Sequence, residues 1–110
     1  MSEPSVVLTW RPGNKKGVYI QKKYYDLFSN FIISLLKEKD TLTLNDLIEY
    51  VQAQLILPDI NLVWTLLQVK LDLEAKGLIK VSVVGPNRLQ LIRIKKLTSR
   101  ALNTSWLPDV

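Results

Sequence analysis

Carboxylates are the side chains of this sequence best suited to acid–base chemistry, because the chain contains no histidine and no cysteine. Asp46 and Glu49 lie one helical turn apart, and the pair Asp72 and Glu74 comes close to that spacing. Both pairs also fit helix caps and surface charge. The missing histidine removes the commonest general base at neutral pH, and the missing cysteine removes thiolate metal ligands and disulfides. We therefore expect no enzyme activity, no metal and no cofactor.

Basic residues form the second group that could carry chemistry. Residues 11–25 contain five Lys or Arg and no acid, residues 76–100 contain seven and no acid, and residues 41–75 contain five acids against one Lys. Two acid-free basic segments in a chain of net charge +5 are typical of a surface that binds a polyanion. The candidate nucleic-acid contacts are Lys15, Lys16, Lys22, Lys23, Lys80, Arg88, Arg93, Lys95 and Lys96.

The length and composition predict a single globular domain. A chain of 110 residues, 47% of them hydrophobic, can bury one core and is too short for two. No apolar run approaches the roughly 18 residues of a membrane span. The first residues have no basic segment ahead of their apolar ones, so we expect no signal peptide and a cytoplasmic location.

Hydrophobic spacing predicts helices in the first half of the chain. One helix is expected over residues 22–39, and a second is expected to start at Thr43 and to be ended by residues 57–59. Thr43 and Asp46 have the spacing of a capping box, with Asp in place of the preferred Glu or Gln. The inward stripe expected for the first helix is Tyr24, Phe28, Phe31 and Leu35, widened by Leu27, Ile32 and Leu36.

A third helix and two strands are expected in the second half. Asp59 or Asn61 would cap the helix, and Gly77 would end it because glycine takes the left-handed cap conformation without strain. Residues 78–84 and 88–94 are rich in β-branched and apolar residues and flank a Gly-Pro-Asn turn, which predicts a hairpin.

The two ends of the chain are interpreted as arms. Residues 6–10 predict a short strand, residues 11–17 have turn chemistry, and residues 18–20 predict another short strand. Trp106 and Leu107 are the strong apolar residues of the C-terminal end. The predicted organisation is an N-terminal arm at 1–17, a domain at 18–96 and a C-terminal tail at 97–110.

The order of these elements resembles the winged helix-turn-helix superfamily over residues 18–96. The segment Leu73-Glu-Ala-Lys-Gly77-Leu-Ile79 is similar to the end of the third helix in bacterial winged-helix regulators. Trp64 followed by residues 69–76 also resembles small, uncharacterised stand-alone winged-helix proteins of bacteria. The resemblance implies an α+β, mostly α fold with a three-helix core, a C-terminal β-hairpin wing and a short N-terminal strand. It further implies duplex DNA binding and a role in transcription regulation.

The third helix lacks the residues that usually read bases. At about 100° per residue, its face opposite the core presents Val63, Trp64, Leu67, Leu71 and Ala75, which we call the apolar stripe. Gln68 and Lys70 are expected at the margins of this face, and Asp72 and Glu74 would repel phosphates. A helix that is apolar on two sides needs a cover. The chain's own arms, a second subunit or another protein would each supply one.

Two functions remain open at this point. The first is a winged-helix DNA-binding protein, a transcription regulator that contacts double-stranded DNA mainly through the basic wing and the N-terminal arm. The alternative is a protein-interaction or homodimerisation module that uses the apolar stripe and does not bind DNA. Neither function calls for a membrane or a small-molecule ligand.

Overall fold

The computed structural model describes residues 5–94 as an α+β fold with three helices and two antiparallel sheets. Lys95, Lys96 and the predicted tail with Trp106 and Leu107 lie outside these residues. The elements in chain order are β1 (Val6–Arg11), β2 (Lys15–Gln21), α1 (Lys22–Lys39), β3 (Thr41–Thr43), α2 (Leu44–Gln54), α3 (Leu62–Ala75), β4 (Ile79–Val84) and β5 (Leu89–Ile94).

Helix α1 has the predicted bounds and a narrower buried face than predicted. The buried side chains are those of Phe28, Ile32, Leu35 and Leu36. Leu27 is exposed, and Tyr24 and Phe31 are half-buried. The broad predicted stripe therefore narrows to the side that packs against α3 and β5.

Helix α2 begins with the predicted capping box. The backbone N–H of Asp46 donates to Thr43 Oγ1 at 3.0 Å, and the N–H of Thr43 donates to Asp46 Oδ2 at 3.4 Å. The helix ends at Gln54, earlier than predicted, and Leu55 is already extended. Leu57 precedes Pro58, which disfavours helical backbone there, so the link to α3 starts before the proline.

Helix α3 has the predicted signals at both ends. Asn61 is the cap, and its Oδ1 accepts from the N–H of Trp64 at 2.9 Å. Gly77 has a φ of 76°, and the N–H of Leu78 donates to the carbonyl of Leu73 at 2.9 Å. This is the bond of a Schellman cap, so Gly77 ends the helix as expected.

The strands form an N-terminal hairpin (β1 and β2) and a three-stranded sheet in the order β3-β5-β4, in which β4 and β5 are the C-terminal hairpin. The turn predicted over residues 11–17 was too long, because Arg11 pairs with Lys15 and only residues 12–14 lie between the strands. The predicted boundary at residue 17 falls inside β2. Strand β3 was missed, since three residues are too few to show an alternating pattern.

One core joins the three helices to both hairpins. Its fully buried large apolar side chains come from every helix and from β5. None of the described helices is long and apolar enough to cross a membrane. The apolar members of the core are Ile20, Phe28, Ile32, Leu35, Leu36, Leu42, Leu47, Val51, Leu66, Val69, Leu73, Ile79 and Ile92.

Candidate nucleic-acid interface

A buried carboxylate fastens the N-terminal hairpin to α3. The Asp72 side chain is completely buried, and its Oδ1 accepts from the backbone N–H of Trp10 at 2.8 Å. Its Oδ2 accepts from the Tyr25 hydroxyl and pairs with Lys76 Nζ at 2.8 Å. Asp72 was expected on the surface facing phosphates, and that expectation was wrong. The carboxylate is buried because three donors, from β1, from α1 and from the residue that follows α3, replace its water.

The surroundings of Asp72 raise the pKa of two neighbouring groups. Burial raises the pKa of Tyr25, and the hydrogen bond to Asp72 raises it further, against the opposing effect of Lys76. Burial lowers the pKa of Lys76, but the hydrogen bonds with Asp72 and Tyr25 outweigh it, so this pKa is raised. Tyr25 therefore stays neutral and Lys76 stays charged at neutral pH. The contacts of both side chains with Asp72 are present at that pH.

A bulge in β1 supports the same hairpin. The register shifts between Leu8 and Trp10, which leaves Thr9 between them. The hydroxyl of Thr9 donates to the carbonyl of Val18 at 2.8 Å, and the N–H of Val18 donates to Thr9 Oγ1 at 3.0 Å. A side chain at Gly17 would lie 2.6 Å from Thr9 Oγ1. The buried Thr9 thus satisfies the strand groups that the bulge leaves unpaired.

The C-terminal hairpin meets the opposite flank of α3. Lys70 is buried, and its Nζ donates to Gln90 Oε1 of β5 at 3.0 Å and pairs with Glu74 at 3.4 Å. Gln68, on the Asp72 side, is buried as well. Lys70 and Gln68 were expected at the margins of an exposed face. They are buried because a hairpin packs along each flank of the helix.

Between the two hairpins, the apolar stripe is only partly accessible. Val63, Leu67, Leu71 and Ala75 are half-buried, and Trp64 is the exposed member, at 45% of its surface. The N-terminal arm, one of the covers considered for α3, packs against this helix through β1 and β2. The polar side chains in the middle of α3 point into the protein, so this helix presents little that could read a base edge.

The C-terminal hairpin brings two candidate cations face to face. Lys80 and Arg93 are direct partners in the β4–β5 register, and both are exposed. Like charges directly opposite each other on a sheet are destabilising. Arg88 is exposed at the turn, where its φ is 54° and its N–H donates to the carbonyl of Gly85 at 3.1 Å. Three of the predicted wing cations therefore share one hairpin.

The remaining candidate cations lie on the N-terminal hairpin and the start of α1. Lys15 and Lys16 are exposed near the turn of the hairpin. Lys22 pairs with Asp26 at 2.7 Å, and Lys23 Nζ lies 5.0 Å from the centre of the Tyr24 ring. Within residues 5–94, the salt bridges engage Lys22, Lys70 and Lys76 and none of the lysines or arginines of the two hairpins.

Three of the four carboxylates considered for acid–base chemistry have structural roles, and Asp46 and Glu49 line one pocket together. Asp46 belongs to the capping box of α2, Asp72 is buried, and Glu74 pairs with Lys70. Among the described residues, no group of three or more acidic side chains is placed to hold a metal ion.

An aromatic groove was not predicted from the sequence. The residues that line it include Tyr19 of β2, Tyr24 of α1 and Trp64 of α3, together with the buried Ile20 and Thr65. The one signal in the sequence is the alternation of β2, which places Tyr19 among polar residues on the outer face of the strand. The groove itself depends on how three elements meet.

Comparison with known families gives one match. A family of unknown function (DUF6958) matches residues 6–89. The chain belongs to this family. No curated protein and no solved structure matches the chain.

The DUF6958 match covers most of the described elements. It begins at the first residue of β1 and ends at the first residue of β5. The N-terminal hairpin, the three helices and the turn with Arg88 thus lie within the family region, whereas Arg93 lies beyond it. The contacts of Asp72 join this hairpin to α1 and α3.

Proposed function

We propose that this DUF6958 member is a winged helix-turn-helix protein that binds double-stranded DNA and acts in transcription regulation. The support for the fold is the element order α1-β3-α2-α3-β4-β5, in which the short β3 pairs with the last strand. In this interpretation α3 occupies the position of a recognition helix, and the C-terminal hairpin occupies that of the wing.

The observation that carries the proposal is the unbalanced charge on the C-terminal hairpin. Lys80 and Arg93 oppose each other across the strands, and Arg88 follows at the turn. No acid of the described residues forms a salt bridge with any of the three. The repulsion is relieved when an external polyanion binds, and the phosphate backbone of DNA is such a polyanion.

The mode of binding follows from what α3 exposes. Its Thr65, Gln68 and Lys70 side chains are buried, so they are not available to donate to base edges. The contacts then come from the two basic hairpins and are directed to phosphates. We expect binding that depends weakly on sequence and steeply on salt.

A pair of charge-reversed variants tests the proposal. Lys80→Glu combined with Arg93→Glu should weaken duplex binding at low salt by at least about tenfold, because two phosphate contacts become repulsive. The matched control is Lys37→Glu with Lys39→Glu, which makes the same change of charge at the exposed end of α1. Equal losses in the two variants would show that only net charge matters. Reversal of Arg88, Arg93, Lys95 and Lys96 together should abolish retention of the duplex.

A second candidate function rests on Trp64 and the apolar stripe. An exposed Trp bordered by half-buried Leu67 and Leu71 is the kind of residue that dominates protein interfaces. In this proposal the stripe forms a homodimer or binds another protein. Leu71→Asp would then weaken self-association in sedimentation experiments. A protein that sediments as a monomer at high micromolar concentration would exclude the homodimer.

A further inference from the structure

The aromatic groove exposes ring surface that the fold itself does not use. Tyr19 is 68% exposed and Trp64 is 45% exposed. Together with Tyr24, Ile20 and Thr65 they line an open groove of about 210 Å³. Exposed aromatic rings gathered around one groove mark a binding site more often than chance exposure does.

Two amides accompany the rings. Gln21 and Asn61 line the same groove. Asn61 Oδ1 accepts from the N–H of Trp64, so the amide NH2 is the group of this side chain left to donate outward. Planar rings flanked by amides match the faces and edges of an unpaired base.

The positive charge near the groove favours a polyanionic ligand. Lys23 Nζ lies 5.0 Å from the centre of the ring of Tyr24, which lines the groove. Lys15 lies on the same face of β2 as Tyr19, four residues along the strand, which is about 13 Å at the usual rise. Residues 11–25, which supply four of the eight residues that line the groove, contain no acid.

We propose that the aromatic groove binds single-stranded nucleic acid, with a base stacked on Tyr19 and Trp64 and the phosphates directed towards Lys23 and Lys15. Stacking on aromatic rings beside a basic track is the usual arrangement of single-strand sites. An acidic peptide would satisfy the lysines but would leave the exposed Tyr19 ring without a planar partner. The site shares Lys15 with the proposed duplex contacts but uses none of Lys80, Arg88 and Arg93, and its stacking on Tyr19 and Trp64 does not depend on duplex binding.

The experiment measures binding of a fluorescent oligothymidylate of about 12 nucleotides to the full chain by anisotropy. Tyr19→Leu should weaken binding by about tenfold, because one stacked base is lost. Tyr19→Phe is the matched control and should bind like the unmodified protein, since it keeps the ring. Both variants should unfold at the same temperature, because Tyr19 is exposed. Trp64→Phe should keep the affinity and lose the tryptophan fluorescence change on binding.

Two results would overturn this proposal. One is equal oligothymidylate affinity for Tyr19→Leu and Tyr19→Phe. The other is tighter binding of a glutamate-rich, proline-containing peptide than of the oligonucleotide. The Lys80→Glu, Arg93→Glu variant separates the two proposals, since it should lose duplex binding and keep the oligothymidylate. If the protein fails to bind duplex DNA, the oligothymidylate affinities of Tyr19→Leu and Tyr19→Phe still decide whether the groove binds single strands.

Discussion

Replacing Asp72 by alanine should release the N-terminal hairpin from α3. The fully buried carboxylate accepts from Trp10, accepts from Tyr25 and pairs with Lys76. Alanine leaves the Trp10 N–H and the Tyr25 hydroxyl without this acceptor and leaves Lys76 Nζ only the Tyr25 oxygen, at 3.2 Å. Breaking a buried ion pair costs about 3–5 kcal/mol. The Lys76 side chain is 43% exposed and can turn towards water. We therefore expect the lower end of that range, about 3 kcal/mol in the free energy of unfolding.

Urea unfolding followed by circular dichroism measures this loss. The matched control is Asp26→Ala, which also removes an i,i+4 pair with a lysine but at a site where both side chains are about half exposed. Exposed pairs contribute little, so the control should lose less than about 0.5 kcal/mol. Hydrogen exchange should also speed up at the Trp10 N–H in Asp72→Ala. A loss for Asp72→Ala no larger than that of the control would refute the fastening role.

Three further predictions concern the same region. Because the pKa values of Tyr25 and Lys76 are raised in the folded protein, the unfolded chain loses these protons at lower pH than the folded one, so stability is full below about pH 10 and falls as the pH rises further. In Tyr25→Phe the urea midpoint should fall less steeply with pH. An unchanged fall would contradict this prediction. Gly17→Ala should cost about 1–3 kcal/mol in thermal unfolding, because its Cβ would lie 2.6 Å from Thr9 Oγ1, and a neutral result would argue against the close approach. Gln68→Leu should be neutral or stabilising by up to about 1 kcal/mol, because the buried Gln68 Oε1 has no hydrogen-bond partner within residues 5–94; a clear loss would reveal one.

The sequence predicted the features that depend on neighbouring residues. The bounds of α1, the capping box at Thr43 and the end of α3 at Gly77 each follow from residues within one or two helical turns. The acid-free basic segments were visible for the same reason. The chemistry of neighbouring residues therefore predicted the helices and the positive charge of the basic segments.

Features that depend on distant residues were not predicted. The burial of Asp72 follows from Trp10, which is 62 positions away in the chain. The opposition of Lys80 and Arg93 depends on the strand register, and the aromatic groove joins residues of three elements. Strand β3 becomes visible only through its pairing with β5. Helical periodicity located the apolar stripe but did not show that a hairpin would pack along each flank of α3.

The salt dependence of duplex DNA binding tests the central claim most directly. The basic hairpins offer Lys15, Lys16, Lys80, Arg88 and Arg93 as phosphate contacts. With about five such contacts, the logarithm of the binding constant should fall against the logarithm of salt concentration with a slope of about −4.5. Lys80→Glu with Arg93→Glu should bring that slope closer to zero by about 2. A protein that shows no salt-sensitive binding to duplex DNA would contradict the account.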